Sequence, residues 1–345
     1  MITVLFLSRF DSGEWTRYFP GEDGRWGGCQ FRFDPSAKAY DWLVVYDDIP
    51  PGSAGRARAS VSPVCCPPQR TILVTTEPES IKAYGRAYAA QFGHVLTTQP
   101  AWALPHPRRH HRSAVNHWFY GSDGQRRIAR RDLVRGPVGT SKLPAVSVMA
   151  SRKRQWFTNH AQRYAFLQQV QALMPELQIF GSGAQPAPDK AVALDRFCYH
   201  LAIENHLAPH HITEKLTDAF LGRCLPFYAG APNAADYFPA DSFVPICLSN
   251  PRQAVAVMRS AISSNLWAAR RGAIEEARRR VLHSEHLFAV ITDLVVAHHG
   301  EAVSAAASPV LLSRHAWRRT HPIGAIGLSM EKLYVRTRSI LLRRR

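Results

Sequence analysis

The sequence contains no apolar run long enough to cross a bilayer, which argues against a membrane-spanning protein. It has no C-x-x-C pair, and its six cysteines (29, 65, 66, 198, 224 and 247) follow no repeating spacing. Cys65 and Cys66 are adjacent, a spacing poorly suited to an ordinary structural disulfide. The N-terminus, MITVLFLSRF, lacks a basic leader and a small-residue cleavage site, so it reads as a first strand. Reduced thiols in a cytoplasmic protein are the expectation. Internal repeats, sustained heptads, helix-turn-helix and zinc-finger patterns, and aromatic-basic RNP signatures are also missing, so no nucleic-acid partner is expected.

Negative charge is scarce. Against 43 Lys+Arg stand 26 Asp+Glu, a net charge of +17. Such an excess calls for an anionic partner, either a phosphate-bearing ligand or an anionic membrane surface. The C-terminal KLYVRTRSILLRRR mixes Leu333, Val335, Ile340 and Leu341 with Lys332, Arg336, Arg338 and Arg343–345. That composition fits a basic amphipathic tail, 326–345, lying on a headgroup layer, and equally a solubilising end.

A chain of 345 residues with 46% hydrophobic content has room for two domains. In the first half, strands are expected at Thr3–Leu7, Trp42–Tyr46, Thr71–Val74 and His94–Thr97, with a helix over Glu79–Phe92. Ser8–Pro35 reads as long loops, and the Pro/His/Arg-rich Pro100–Arg112 as a break leading to a linker. His106, His110, His111 and His117 within and after it read as an interdomain basic loop rather than metal ligands. The second half restarts with a strand at Pro144–Met149, a helix at Asn159–Leu173 and strands at Leu177–Phe180 and Phe243–Ile246. Strands alternating with helices in both halves predict α/β structure, two Rossmann-like domains, 1–140 and 141–325.

The most informative segment is YHLAIENHLAPHHITEKLTDAFLGRCLPFYAG, Tyr199–Gly230. It reads as a strand ending at Glu204-Asn205, a loop, a helix from Ile212-Thr213-Glu214-Lys215, and a second strand over Cys224–Tyr228. This βαβ-type order brings the helix N-terminus to the carboxyl edge of a parallel sheet, where free N–H groups and Lys215 favour an anion. Glu214 is placed to accept hydroxyl hydrogen bonds from a ribose or sugar.

The run EN…HITEKL followed by GRCLPFYAG resembles the donor-binding signature of glycosyltransferase family 10, the α1,3/α1,4-fucosyltransferases. His211 stands where that family commonly has an aromatic residue. The resemblance implies a GT-B architecture, two Rossmann-like domains facing a cleft, with acceptor bound by the first half and GDP-fucose by the second. An Asp-x-Asp motif is missing, since Asp47 and Asp48 are adjacent, so a metal-independent site is expected. No cofactor is required on this reading, and divalent-ion stimulation stays open.

Inverting transfer needs a carboxylate to take the acceptor proton and cations to hold the leaving diphosphate. The resemblance carries the base to Glu77, after the strand Thr71–Val74. Thr76 and Glu79 also form a T-x-x-E helix-capping pattern there. Arg163, on a helix after a strand and a Ser-rich turn, is the counterpart of the family's phosphate-binding Arg. Ser151 and Lys153 in the turn are further phosphate candidates, Glu204 and Asn205 brace the loop or contact the nucleotide, and His211 meets the base. Asp218 reads as an exposed helix residue. Trp15 and Trp26 are candidates for stacking on acceptor sugars, with loop packing as the competing role.

The combined expectation is an inverting fucosyltransferase acting on an oligosaccharide or lipid-linked glycan, such as bacterial surface lipopolysaccharide, in the cytoplasm or peripheral on the inner membrane. Two alternatives stand: the same fold with another nucleotide sugar, or a non-catalytic basic protein that binds membrane or nucleic acid.

Overall fold

The structure, a computed structural model, describes residues 1–51, 55, 59–113, 118–124, 127–136, 141–150, 160–181, 185–303 and 310–343. The chain forms two units, Met1–Ala114 with Phe288–Arg345, and Val115–Leu287.

The first unit is built on a seven-stranded sheet. Its strands are β1 (Ile2–Leu7), β2 (Arg25–Trp26), β3 (Cys29–Arg32), β4 (Trp42–Tyr46), β6 (Thr71–Val74), β7 (His94–Thr97) and β8 (Arg109–His111), in the order β2-β3-β1-β4-β6-β7-β8. Every pairing is parallel except that of the short β2 with β3. A small antiparallel pair, β5 (Ser60–Val61) with β14 (Leu311–Leu312), lies apart from it. All residues of β4, β6 and β7 are buried, as expected where both faces of a parallel sheet are covered.

Three expectations for this half are corrected. Ser8–Pro35 is not a set of loops: it adds β2 and β3 to the sheet and buries Trp15, Tyr18, Phe19 and Phe31. The helix over Glu79–Phe92 shrinks to Arg86–Ala89. Gly85 just before it has φ +93°, which breaks a continuous helix, and Thr76 bonds Asp47 Oδ1 at 2.9 Å instead of capping one. The Pro100–Arg112 stretch contains β8, whose three residues are too few to leave a periodic signal.

The last helices also belong to this unit, whereas the sequence boundaries assigned them to a second domain and a tail. The reason is Phe288, at the start of the helix Leu287–His299. Its ring lies 4.5 Å from that of Phe19, 5.0 Å from Phe31, 5.2 Å from Phe6 and 5.8 Å from Trp15. Six aromatic partners leave this ring fully buried, so the helix is an integral part of the first core. The helix Pro322–Arg343 follows, with Val335 buried against Ala83 and Ala103.

The second unit carries β9 (Leu143–Ala150), β10 (Gln178–Gly181), β11 (Phe197–Ile203), β12 (Leu225–Ala229) and β13 (Val244–Pro245), in the order β10-β9-β11-β12-β13. All pairings are parallel. β11 is central and every residue of FCYHLAI is buried. Helices His160–Leu173 and Pro251–Ser263 cover the sheet with Phe166, Val170, Val255 and Met258. This is the α/β class expected for both halves. Among the described residues no helix is long and apolar enough to cross a membrane.

Candidate functional site

The site grows from the end of β11. A buried apolar strand delivers Glu204 into the protein interior, where it is fully buried. A carboxylate in that position requires compensation, and the next helix supplies it. Glu204 accepts from the Thr213 N–H at 2.9 Å and the Thr213 hydroxyl at 2.7 Å, and its oxygen lies 3.5 Å from Lys215 Nζ. Thr213 in turn caps the helix Glu214–Leu221 by accepting from the Lys215 N–H. The electropositive helix end assigned to a ligand phosphate is therefore already served by the chain's own carboxylate. Glu204 braces the loop, and Thr213 is committed to Glu204.

Two motif glycines follow from packing. A Cβ on Gly222 would come 2.5 Å from the Leu194 side chain, and one on Gly230 would lie 2.1 Å from the Tyr228 ring. These close approaches hold the helix and β12 in place around the site.

At the carboxyl ends of β9 and β11 opens a cavity of about 310 Å³. Arg163, Asn205, Glu214 and Lys215 line it together, although they come from two segments forty residues apart or more in sequence. Arg163 is buried and donates to Asn205 Oδ1 at 2.9 Å and to the Met149 carbonyl at 3.3 Å. Lys215 Nζ lies 3.2 Å from Glu214 Oε1. Burial pulls the Lys215 ammonium down, but Glu204 and Glu214 outweigh it and hold it above its ordinary value. Burial pushes Glu214 up, yet Lys215 and Lys190 bring it down to about 2. Glu204 is raised, chiefly by burial.

Three lining residues escaped the sequence reading. Lys190 bonds Asp218 Oδ2 at 2.7 Å and sits 5.0 Å from the Phe119 ring centre. Asp218 is not exposed: it is buried and also accepts from the N–H groups of Phe119 and Tyr120 at 3.0 and 3.1 Å. Its position four residues after Glu214 puts both carboxylates on one helix face, a signal that was available. His200, in β11, is buried beside Ser147 Oγ at 2.8 Å, and burial pulls it down to about 3, so it is neutral near pH 7. Nothing in the sequence marks Lys190 or His200, which chain folding alone brings there.

Other candidates fall elsewhere. His211 is buried edge-on against His206, ring centres 5.3 Å apart, and does not line the cavity; burial brings it down to about 3. It fills space in the loop rather than meeting a base. Trp15 is buried in the first unit's aromatic core and cannot stack on a sugar, so its role is packing. Trp26 is partly exposed on β2. Glu77 is partly exposed beyond the end of β6, its carbonyl accepting from Gln99 Nε2 at 2.8 Å. Ser151 and Lys153 lie outside the described residues, as does His117. The six cysteines are free.

Three cations and two carboxylates thus line a cavity at the carboxyl edge of a parallel sheet, the place where α/β sheets commonly bind ligands. Residues 141–260 match the sequence model of the glycosyltransferase family 10 (fucosyltransferase) C-terminal domain. The chain is also similar to an α1,3-fucosyltransferase solved with GDP-fucose, at 14% identity over 78% of this chain and 81% of that one, TM-score 0.47. An α-glucosyltransferase solved with UDP-glucose and abasic-site DNA is similar at 8% identity over 85% and 99%, TM-score 0.49. A glycosyltransferase from Rickettsia africae ESF-5 is similar at 12% identity over 86% and 97%, TM-score 0.42. The match supports a glycosyltransferase enzyme, and each of its two units is α/β with a largely parallel sheet.

Proposed function

We propose that the protein transfers L-fucose from GDP-fucose to a hydroxyl of a glycan, with inversion at the anomeric carbon. The observation carrying this reading is the convergence of Arg163, Lys190 and Lys215 on one cavity inside the family 10 segment. In this mechanism the buried guanidinium and the two ammonium groups hold the diphosphate and stabilise the charge that develops as GDP departs. Glu214, kept ionised by its two lysines, accepts hydroxyl hydrogen bonds from the ribose or the sugar. Asn205 keeps Arg163 aimed. Glu77 takes the proton from the acceptor hydroxyl as that oxygen attacks. The reaction needs no metal for these steps.

The acceptor in this reading is a GlcNAc-type sugar of a bacterial surface polysaccharide, joined in α1,3 linkage at the inner membrane's cytoplasmic face. The helix Pro322–Arg343 supports a membrane encounter. Ile326, Met330, Leu333 and Leu341 are well exposed on the same helix as Lys332, Arg336 and Arg338.

The test is a donor screen with GDP-fucose, GDP-mannose and UDP-sugars, followed by an acceptor panel of N-acetyllactosamine-type disaccharides. GDP-fucose should give the highest kcat/KM. Glu77→Gln should abolish turnover while GDP binding persists, and unchanged turnover in that variant would exclude Glu77 as the base. A preference for another nucleotide sugar would retain the transferase and reject fucose.

A further inference from the structure

The first unit holds a second cluster of chemically capable side chains, unrelated to the sugar-nucleotide cavity. His94 opens β7, His110 lies in β8, and His298 is in the last turn of the helix Leu287–His299. Leu96 is registered against His110 in the parallel pair. Because side chains alternate along a strand, His94 and His110 share one sheet face. The helix end brings His298 onto that face. The ring centres lie 4.7 Å apart for His94 and His298, 5.2 Å for His94 and His110, and 5.4 Å for His110 and His298. One ring nitrogen from each residue lies within 4.8 Å of the other two.

We propose that His94, His110 and His298 bind a divalent transition-metal ion of the zinc class, clipping the helix Leu287–His299 to the edge of the first sheet. A zinc–imidazole bond of about 2.0–2.1 Å puts neighbouring nitrogens of a tetrahedral site about 3.3 Å apart. His94 Nδ1 and His110 Nε2 are already 3.0 Å apart. The remaining closure is a small side-chain movement of His298. His298 Nδ1 is paired with Glu301 Oε1 at 2.5 Å, which leaves Nε2 as its ligating atom. A carboxylate behind a histidine is the usual support for a metal-bound imidazole. The nearby cation, Arg108, lies 3.4 Å from His94 Nε2 but is paired with Glu301 Oε2 at 2.6 Å, so its charge is balanced.

The neighbouring histidines behave differently. His106 is engaged by the Phe92 carbonyl and the Arg108 N–H, His111 by the Thr98 carbonyl, and His299 Nδ1 by the Trp42 indole. His94 is fully buried, and three clustered imidazoles with one short mutual contact leave ring nitrogens that an ion would satisfy. Three protein ligands leave a fourth position for water. The ion would join the helix to the sheet edge, and it shares no residue with the proposed transfer reaction.

The test uses the full chain stripped with a chelator and titrated with Co²⁺, followed by Zn²⁺ competition. The visible bands of four- or five-coordinate Co²⁺ should saturate at one equivalent and be displaced by Zn²⁺. Zn²⁺ should raise the melting temperature. His110→Ala and His298→Ala should each lose the bands and the Zn²⁺-dependent rise, while melting close to the metal-free wild type. Exposed His315→Ala should retain both. Glu301→Gln should weaken binding by roughly 10–100-fold. Should a strand variant fail to fold, His298→Gln at the helix end carries the same test. A wild type that shows neither bands nor a melting shift at equimolar metal overturns the proposal, as does a signal that survives His298→Ala.

Discussion

Arg163→Ala probes the proposed donor chemistry most directly. A guanidinium has five N–H donors, and two of them are used by Asn205 Oδ1 and the Met149 carbonyl. Three remain for a ligand, enough for a two-point grip on a diphosphate. At about 1.5–3 kcal/mol for each charge-assisted hydrogen bond, losing two costs roughly 3–6 kcal/mol, or about 10²–10⁴-fold in kcat/KM. Arg163→Lys keeps the charge without the planar fork and should fall between wild type and Ala. Asn205→Ala frees the guanidinium to swing and should cost about tenfold. The assay is initial-rate GDP release over a GDP-fucose series, with equilibrium GDP binding alongside and far-UV circular dichroism to show that the fold persists. If Arg163→Ala stayed within about fivefold of wild type and bound GDP at full strength, the assignment of the cavity to the diphosphate would be wrong.

Other substitutions test the framework. Glu204→Gln removes the charge that serves Thr213 and Lys215 and should lower the melting temperature by roughly 4–12 °C, measured by calorimetry; no change would mean that the loop is held by other contacts. Glu214, brought from 4.5 to about 2 in the folded state, contributes stability that is present above its ordinary value and lost as pH falls through that window. Its contribution is at most roughly 3.5 kcal/mol, and the stability gap between wild type and Glu214→Gln should close between those two pH values in urea titrations. Raised Glu204 acts with the opposite sign, its contribution fading as pH rises through its folded value, so it does not deepen the acid limb. Phe288→Ala should destabilise the first unit by about 3–5 kcal/mol, and a loss below about 1 kcal/mol would show that the late helices are not part of that core.

The two cores differ in how legible they were. β4, β6 and β7 appear in the sequence as short, mostly apolar runs with the bounds observed, because strands covered on both faces are built largely from apolar residues, with Thr71, His94 and Thr97 as the polar exceptions. β3 and β8 were hidden, since four and three residues beside charged neighbours leave no period to detect. The helix Glu79–Phe92 failed for another reason. Its local pattern was helical, but Gly85 at positive φ and the Asp47 contacts with Thr76, Lys82 and Tyr84 hold the chain in a turn. Tertiary contacts there override local propensity.

Residue types along Tyr199–Gly230 by themselves determined the strand, the capped helix and the resemblance to the family 10 domain, because each of those depends on neighbours close in the chain. The tertiary structure decided which groups line the cavity and which are consumed internally. It turned Glu204 inward to cap the helix and brought Lys190 and His200 to the cavity. It also returned Phe288 to the first unit, and with it His298 to His94 and His110. A helix end needs an anion and a buried carboxylate needs donors, and only the folded chain shows that these two needs meet each other.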